Sequence, residues 1–213
     1  MNYVLGTPYQ DDSYSIKESD IISNRRDYLE GDLPNRGDYA FISAGIDWGE
    51  HFHHIVFKGV KANGQVDNIR LARVRTSVGA EHIEEDLREV IGILENYDPD
   101  IILPDIGFNG NYVDRLIKHF GGDIVFGVNV RSARSNGDPN PQFNVNKSQV
   151  TIDKLTQNVI EMTNIKSGRI GFPKAMNQNM QLFIKHWGNV VIRDEEDDNT
   201  GLPYKSITRR DDD

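Results

Sequence analysis

Cysteine is absent from the 213 residues, which excludes disulfide scaffolds and thiolate-held zinc modules. No apolar run approaches the roughly 18 to 20 residues that a membrane span requires. The stretch from Met1 to Asp12 has neither the basic nor the apolar region of a secretory signal. The expectation is a soluble, cytoplasmic protein with no membrane partner. Basic residues are outnumbered, with 24 Lys+Arg against 33 Asp+Glu and a net charge of -9. Such a balance argues against gripping nucleic acid by bulk positive charge, yet it leaves room for a local basic track beside an acidic metal site.

The length fits one domain with a real core. Residues 1–38 are polar and lack a sustained period, with turn formers at Gly6, Pro8, Gly31, Pro34 and Gly37. They read as an arm or linker rather than a core element. Residues 39–213 carry the folded domain. Tyr39 to Asp47 is a short apolar run ending on an acid, which predicts a strand buried on both faces. Strands are predicted over Phe52 to Val60 and Val66 to Val74, with the Asn63-Gly64 pair between them marking a hairpin. A helix over Ala80 to Tyr97 carries the stripe Ile83, Leu87, Val90, Ile91 and Leu94, and Asp98-Pro99 ends it. Ile101 to Asp105 is a second apolar run terminating on an acid. A helix with Val113, Leu116, Ile117 and Phe120 follows, then a strand over Ile124 to Val130. Strand, helix, strand is the grammar of parallel pairing. Arg131 to Lys147 reads as a long loop, Val150 to Met162 and Lys174 to Trp187 as helices, and Val190 to Arg210 as a terminal hairpin. The fold class expected is a mixed α/β domain.

Asp47, Asp105 and the terminal Asp211, Asp212 and Asp213 lie where strands or the final segment end. Sites in open sheets gather at such ends. Converging carboxylates suit hard divalent cations such as Mg²⁺ or Mn²⁺. Two such ions could activate water on one side of a phosphodiester and stabilise the departing oxygen on the other.

Gly45-Ile46-Asp47-Trp48-Gly49, then Ile101-Ile102-Leu103-Pro104-Asp105 with a glycine-containing loop, then Arg209-Arg210-Asp211-Asp212-Asp213, resemble the nuclease domain of tailed-bacteriophage terminase large subunits. The resemblance runs in order and spacing from about Ala40 to Asp213. It implies a ribonuclease H-like fold, with three antiparallel strands plus parallel strands flanked by helices. It also implies a metal-dependent endonuclease that cuts double-stranded concatemeric viral DNA by a two-metal mechanism. Asp47 matches the acid on the first strand and Asp105 the acid ending the fourth. Asp212 is the best match to the third acid, with Asp211 and Asp213 beside it. The family's C-terminal helix after that acid has no counterpart here. The family's implied partners are a terminase small subunit, a portal protein and an ATPase domain of the same chain, in the cytoplasm of the infected bacterial host. No Walker A loop occurs in this sequence, so residues 1–38 would be the linker from that ATPase domain.

Arg131, Arg134 and Lys147 bracket the long loop and are candidate DNA-phosphate contacts. Lys205, Arg209 and Arg210 in the terminal hairpin form a second candidate track, although Arg193 to Asp213 holds eight acids against four bases. His51, His53 and His54 cluster after the first motif. Strand alternation sends His53 and His54 to opposite faces, so solvent-facing or DNA-proximal roles outrank shared metal ligation. Trp48 reads as packing. Two rival readings remain. Gly-Ile-Asp-Trp-Gly also resembles the opening strand of actin-like and sugar-kinase-type phosphate-binding domains, though Glu50-His51-Phe52 replaces their small hydroxyl residues. A non-catalytic packaging scaffold of the same fold is the other.

Overall fold

Alternation builds the first strand. β1 spans Phe41–Asp47, and Ile42, Ala44 and Ile46 are all buried on one face. The computed structural model describes residues 15–30, 36–76, 83–107, 110–131, 140–175, 177–196 and 200–209. β2 (Phe52–Val60) and β3 (Val66–Arg75) complete an antiparallel meander with β1. Their turn closes as the Asn-Gly signal predicts, with Gly64 at φ 80° and its N–H donating to the Lys61 carbonyl at 2.9 Å.

α2 spans Ile83–Tyr97 and buries Leu87, Val90, Leu94 and Tyr97 against the sheet. Tyr97 stacks on Phe57 at 4.4 Å between ring centroids, joining helix and strand by aromatic contact. Asp98 ends the helix in the left-handed region at φ 43°, and Pro99 prevents its continuation. β4 (Ile101–Pro104) then pairs parallel to β1. α3 (Gly110–Phe120) leads to β5 (Gly127–Arg131), which sits beside β4 through parallel bridges at Ile102 with Val125 and Asp105 with Val128. Read across, the strands run β3-β2-β1-β4-β5, three antiparallel and two parallel. This is a mixed sheet of three antiparallel and two parallel strands flanked by helices, the strand arrangement expected from the resemblance.

The later segments depart from the sequence reading. β6 (Gln142–Asn144) lies within the stretch expected as loop, followed by a 3₁₀ turn over Val145–Lys147. Val150 opens no helix: β7 (Gln149–Asp153) pairs with β5 and β6. The β-branched run Val150-Thr151-Ile152 fits a pleated strand better than a helical turn. α4 starts only at Lys154 and runs to Lys166, with the Asp153 side chain accepting from the Thr156 N–H at 2.8 Å. After β8 (Ile170–Gly171), which extends the sheet beside β3, α5 (Gln178–Asn189) begins four residues later than read, at an Asn177 cap. β9 (Val190–Glu196) and β10 (Pro203–Arg209) form the expected terminal hairpin.

α2 and α3 cover one face of the central sheet. The other face carries a second core, in which Leu71 meets Leu155, Met162, Ile165, Phe172 and Met180. Residues 15–30 belong to that core, contrary to the expectation of an arm without core elements. α1 (Glu18–Ser23) seats a fully buried Ile21 there. Arg26 pairs with the buried Asp67, and the Tyr28 hydroxyl donates to the Asn68 carbonyl at 2.7 Å. Among the described residues two apolar anchors of this segment enter that core, Ile16 just before the helix and Ile21 within it, too few to give a sequence period. Among the described residues no helix is long and apolar enough to cross a membrane.

Candidate active site

The two matched acids lie side by side. Asp47 is the last residue of β1, and Asp105 follows the last residue of β4. The register pairs Ile46 with Pro104, so each acid stands one step beyond a paired residue. The Asp105 N–H donates to the Ile46 carbonyl at 2.9 Å, which fixes the two chain ends together. Because Ile46 and Pro104 turn into the core, alternation sends Asp47 and Asp105 to the opposite face. Asp47 is exposed and Asp105 half-buried.

Asp105 is also held locally. Its Oδ1 accepts from the Gly107 N–H at 3.0 Å, the turn role that a strand-end Asp can play. A Cβ at Gly107 would lie 3.3 Å from Oδ2 and 3.4 Å from Oδ1, so the glycine leaves room around that carboxylate.

The row continues across the meander. Asp47 is the register partner of His54, and His54 is the partner of Arg73 on β3. The ring of His186 on α5 stands 6.3 Å from that of His54, edge to face. Burial pushes the His54 imidazole down from its ordinary pKa, the charges of Arg73 and His186 add to that, and the Asp47 carboxylate opposes it. Sequence reasoning missed Arg73 and His186. The meander offered a signal for His54, since strand alternation and a short β1–β2 connection put it on the face of Asp47.

Along the same face, two residues before each acid, a cleft of about 510 Å³ opens over Gly45 and Leu103. Val56, Val128, Phe183 and Trp187 also line it, and the ion pair of Lys58 with Glu161, at 2.5 Å, stands in its wall. Such a volume is that of an ordinary ligand or substrate cleft.

His53 takes the other face. It is fully buried, not solvent-facing or near DNA as expected, and packs edge-on against Trp48 at 4.9 Å and Tyr112 at 5.3 Å. Trp48 stacks on Tyr112 at 4.7 Å, which is the packing role read for it. Both His53 ring nitrogens and the Trp48 indole nitrogen lack hydrogen-bond partners among the described residues.

The basic candidates spread over the fold. Arg131 is exposed at the end of β5, opposite Asp153. Lys147 is exposed before the start of β7, about 13 Å of strand away. Lys205 is half-buried on β10, opposite Asp194, and Arg209 ends that strand. Arg134, Arg210, Asp211, Asp212 and Asp213 lie outside the described residues. Among the described residues no group of three His, Asp or Glu side chains could hold a metal ion; Asp47 and Asp105 contribute two oxygen-donor carboxylates on one face, which fit a hard cation with a further ligand to be added.

No protein-family model matches the chain, and no curated protein matches it. Among solved structures it is similar to the Mn-soaked human cytomegalovirus terminase nuclease domain, at 13% identity and a TM-score of 0.43 over 75% of this chain and 77% of that one. A second similar structure is that nuclease domain Mn-soaked with an inhibitor bound, at 11% identity and a TM-score of 0.46 over 79% and 85%.

Proposed function

We propose that this chain is the metal-dependent endonuclease domain of a tailed-phage DNA-packaging terminase, hydrolysing double-stranded concatemeric DNA in the cytoplasm of the bacterial host. The observation that supports it most is the placing of Asp47 and Asp105 at the ends of adjacent parallel strands, on one face, with backbones joined at 2.9 Å. Strands β1 and β4 make these positions rigid, as a site for directed chemistry needs.

Asp47 would hold both of two divalent ions, Mg²⁺ or Mn²⁺, and Asp105 one of them. Asp212, or its neighbour Asp211 or Asp213, would supply the third carboxylate. Ions so held supply Lewis acidity at the attacking and departing oxygens of the phosphodiester. The chain's own contribution is orientation. The Gly107 N–H turns one oxygen of Asp105 toward the backbone and leaves the other for a ligand. Arg131, Arg134, Lys147, Lys205, Arg209 and Arg210 are proposed to touch DNA phosphates, which positions the duplex without reading its sequence. Water is the nucleophile and no covalent enzyme intermediate is required. A small subunit, a portal protein and an ATPase motor domain are the partners this reading implies.

The test is nicking of supercoiled plasmid with Mn²⁺. The unaltered chain should cut, and Asp47→Asn should not, with its thermal unfolding unchanged. Undiminished cutting by Asp47→Asn overturns the assignment. Stabilisation by ATP without any cutting would favour the phosphate-binding rival.

A further inference from the structure

A β-bulge decides where Arg73 sits. Between Phe57 and Lys58 the β2–β3 register shifts, and Ile69 is the extra residue on β3. From Lys58 opposite Asn68, unbroken pairing would bring Ala72 opposite His54; the bulge brings Arg73 there instead. A one-residue slip exchanges the faces of every following side chain. Arg73 therefore joins the face that carries His54 and Asp47, and Ala72 joins the core.

On that face the guanidinium is oriented. Its central carbon lies 3.9 Å from the centroid of the Phe52 ring, a close cation–π contact that anchors the group over that ring. Phe52 opens β2 on the side of the β1–β2 connection, so the side chain leans toward the end of the sheet where Asp47 lies. Nε is buried with no hydrogen-bond partner, and among the described residues no carboxylate pairs with this guanidinium. Asp47 stands two strands away, about 10 Å at ordinary strand spacing, too far for direct pairing. A half-buried arginine over an aromatic ring, with no counter-anion among the described residues and one row from the Asp47–Asp105 pair, is suited to an anion that spans both.

We infer that Arg73, braced by Phe52, binds a backbone phosphate of the DNA and so seats the strand across the Asp105–Asp47–His54 row. This rests on the nuclease reading and adds to it a positioning cation that lies outside the two basic tracks named above. The bulge is then a device that aims one side chain at the site, a use for which bulges recur beside active sites.

The test is the salt dependence of DNA binding. Anisotropy of a short fluorescein-labelled duplex is measured over a range of KCl with Ca²⁺, which takes oxygen ligands in looser geometry than Mg²⁺. Each lost phosphate contact lowers the slope of log K against log salt by about one. Arg73→Gln should bind about tenfold more weakly with that smaller slope. Arg73→Lys should restore the slope but not the full affinity. Phe52→Leu should weaken binding at an unchanged slope, and it decides the matter if Arg73→Gln fails to fold. Arg115→Gln, on the far helix pair beside Glu84, should change neither quantity. Equal slope and affinity for folded Arg73→Gln, or unaltered affinity for Phe52→Leu, overturns the inference. If the unaltered chain still cuts plasmid with Mn²⁺, only the role of Arg73 is lost; if the unaltered chain neither binds nor cuts DNA, the nuclease reading falls with it.

Discussion

Asp47 and His54 face one another across the first antiparallel ladder, each on the side of the sheet away from the main core. The row extends through Arg73 on β3 and, in the other direction, to Asp105 beyond β4. Four adjacent strands thus present acid, acid, imidazole and guanidinium in line. On the proposed nuclease reading, an anionic polymer would meet metal at the acidic end of this row and a direct counter-charge at the other.

The N-terminal segment is part of the domain's stability. Ile21 is fully buried among Leu155, Ile165 and Phe172 in the second core. Ile21→Ala should cost about 3 kcal/mol, the transfer and cavity terms for a buried aliphatic side chain. Urea unfolding measures it. A loss below about 0.5 kcal/mol would mean that residues 15–30 do not pack as described.

Asp67 ties the same segment to the meander. It is fully buried, pairs with Arg26, meets Lys61 Nζ at 2.7 Å and accepts from the Tyr39 hydroxyl at 3.2 Å. Asp67→Ala strands two cations and a hydroxyl, and should destabilise by about 3 kcal/mol, near the low end for a broken buried pair because Arg26 and Lys61 keep some solvent. Burial, with Asp67 beside it, also pushes the Tyr39 hydroxyl above its ordinary pKa. The denaturation midpoint checks the effect, and an unchanged midpoint contradicts it.

His53 should make stability fall with acid. Burial lowers its folded pKa below the ordinary value of 6.5, although the charges of Asp86 and Asp47 oppose the shift. The unfolded chain then binds the proton first, so stability is complete above about pH 6.5 and declines as pH falls toward the folded pKa. The slope contributed is at most about 1.4 kcal/mol per pH unit. Unfolding free energies of the unaltered chain and of His53→Phe, compared between neutral and mildly acidic buffer, should diverge in slope. Parallel lines would show that His53 carries no such linkage.

The acids were legible and the basic end of their row was not, for a definite reason. Asp47 and Asp105 each close an apolar run, and parallel pairing of two such runs brings their ends together. The Asn63-Gly64 turn was equally plain. Counting from that turn, however, gives Ala72 as the partner of His54, because nothing in the residues 57–70 marks the bulge at Ile69. The start of α4 was misread because apolar positions run on from Val150 into the true helix at Leu155, Val159 and Met162; Val150 and Ile152, two residues apart, follow a strand's alternation, and pairing to β5 places them in β7. His53 was misplaced because polarity alone suggests solvent, while alternation with Ile55 and Phe57 carries it into the core.

Asp105→Asn separates charge from fold. The amide oxygen can still accept from the Gly107 N–H, so stability should change by less than about 0.5 kcal/mol. Plasmid cutting should fall by at least about a hundredfold, since even outer-shell partners of a metal cost up to that much. Retained cutting would remove Asp105 from the site.

Crystals soaked in Mn²⁺ and measured for anomalous scattering test the shared carboxylate site most directly. Peaks should appear at about 2.0 to 2.6 Å from Asp47 and Asp105 oxygens, the span of hard divalent ions to oxygen, and should vanish in Asp47→Asn crystals soaked alike. Fully soaked crystals with no peak between these two side chains would contradict the reading.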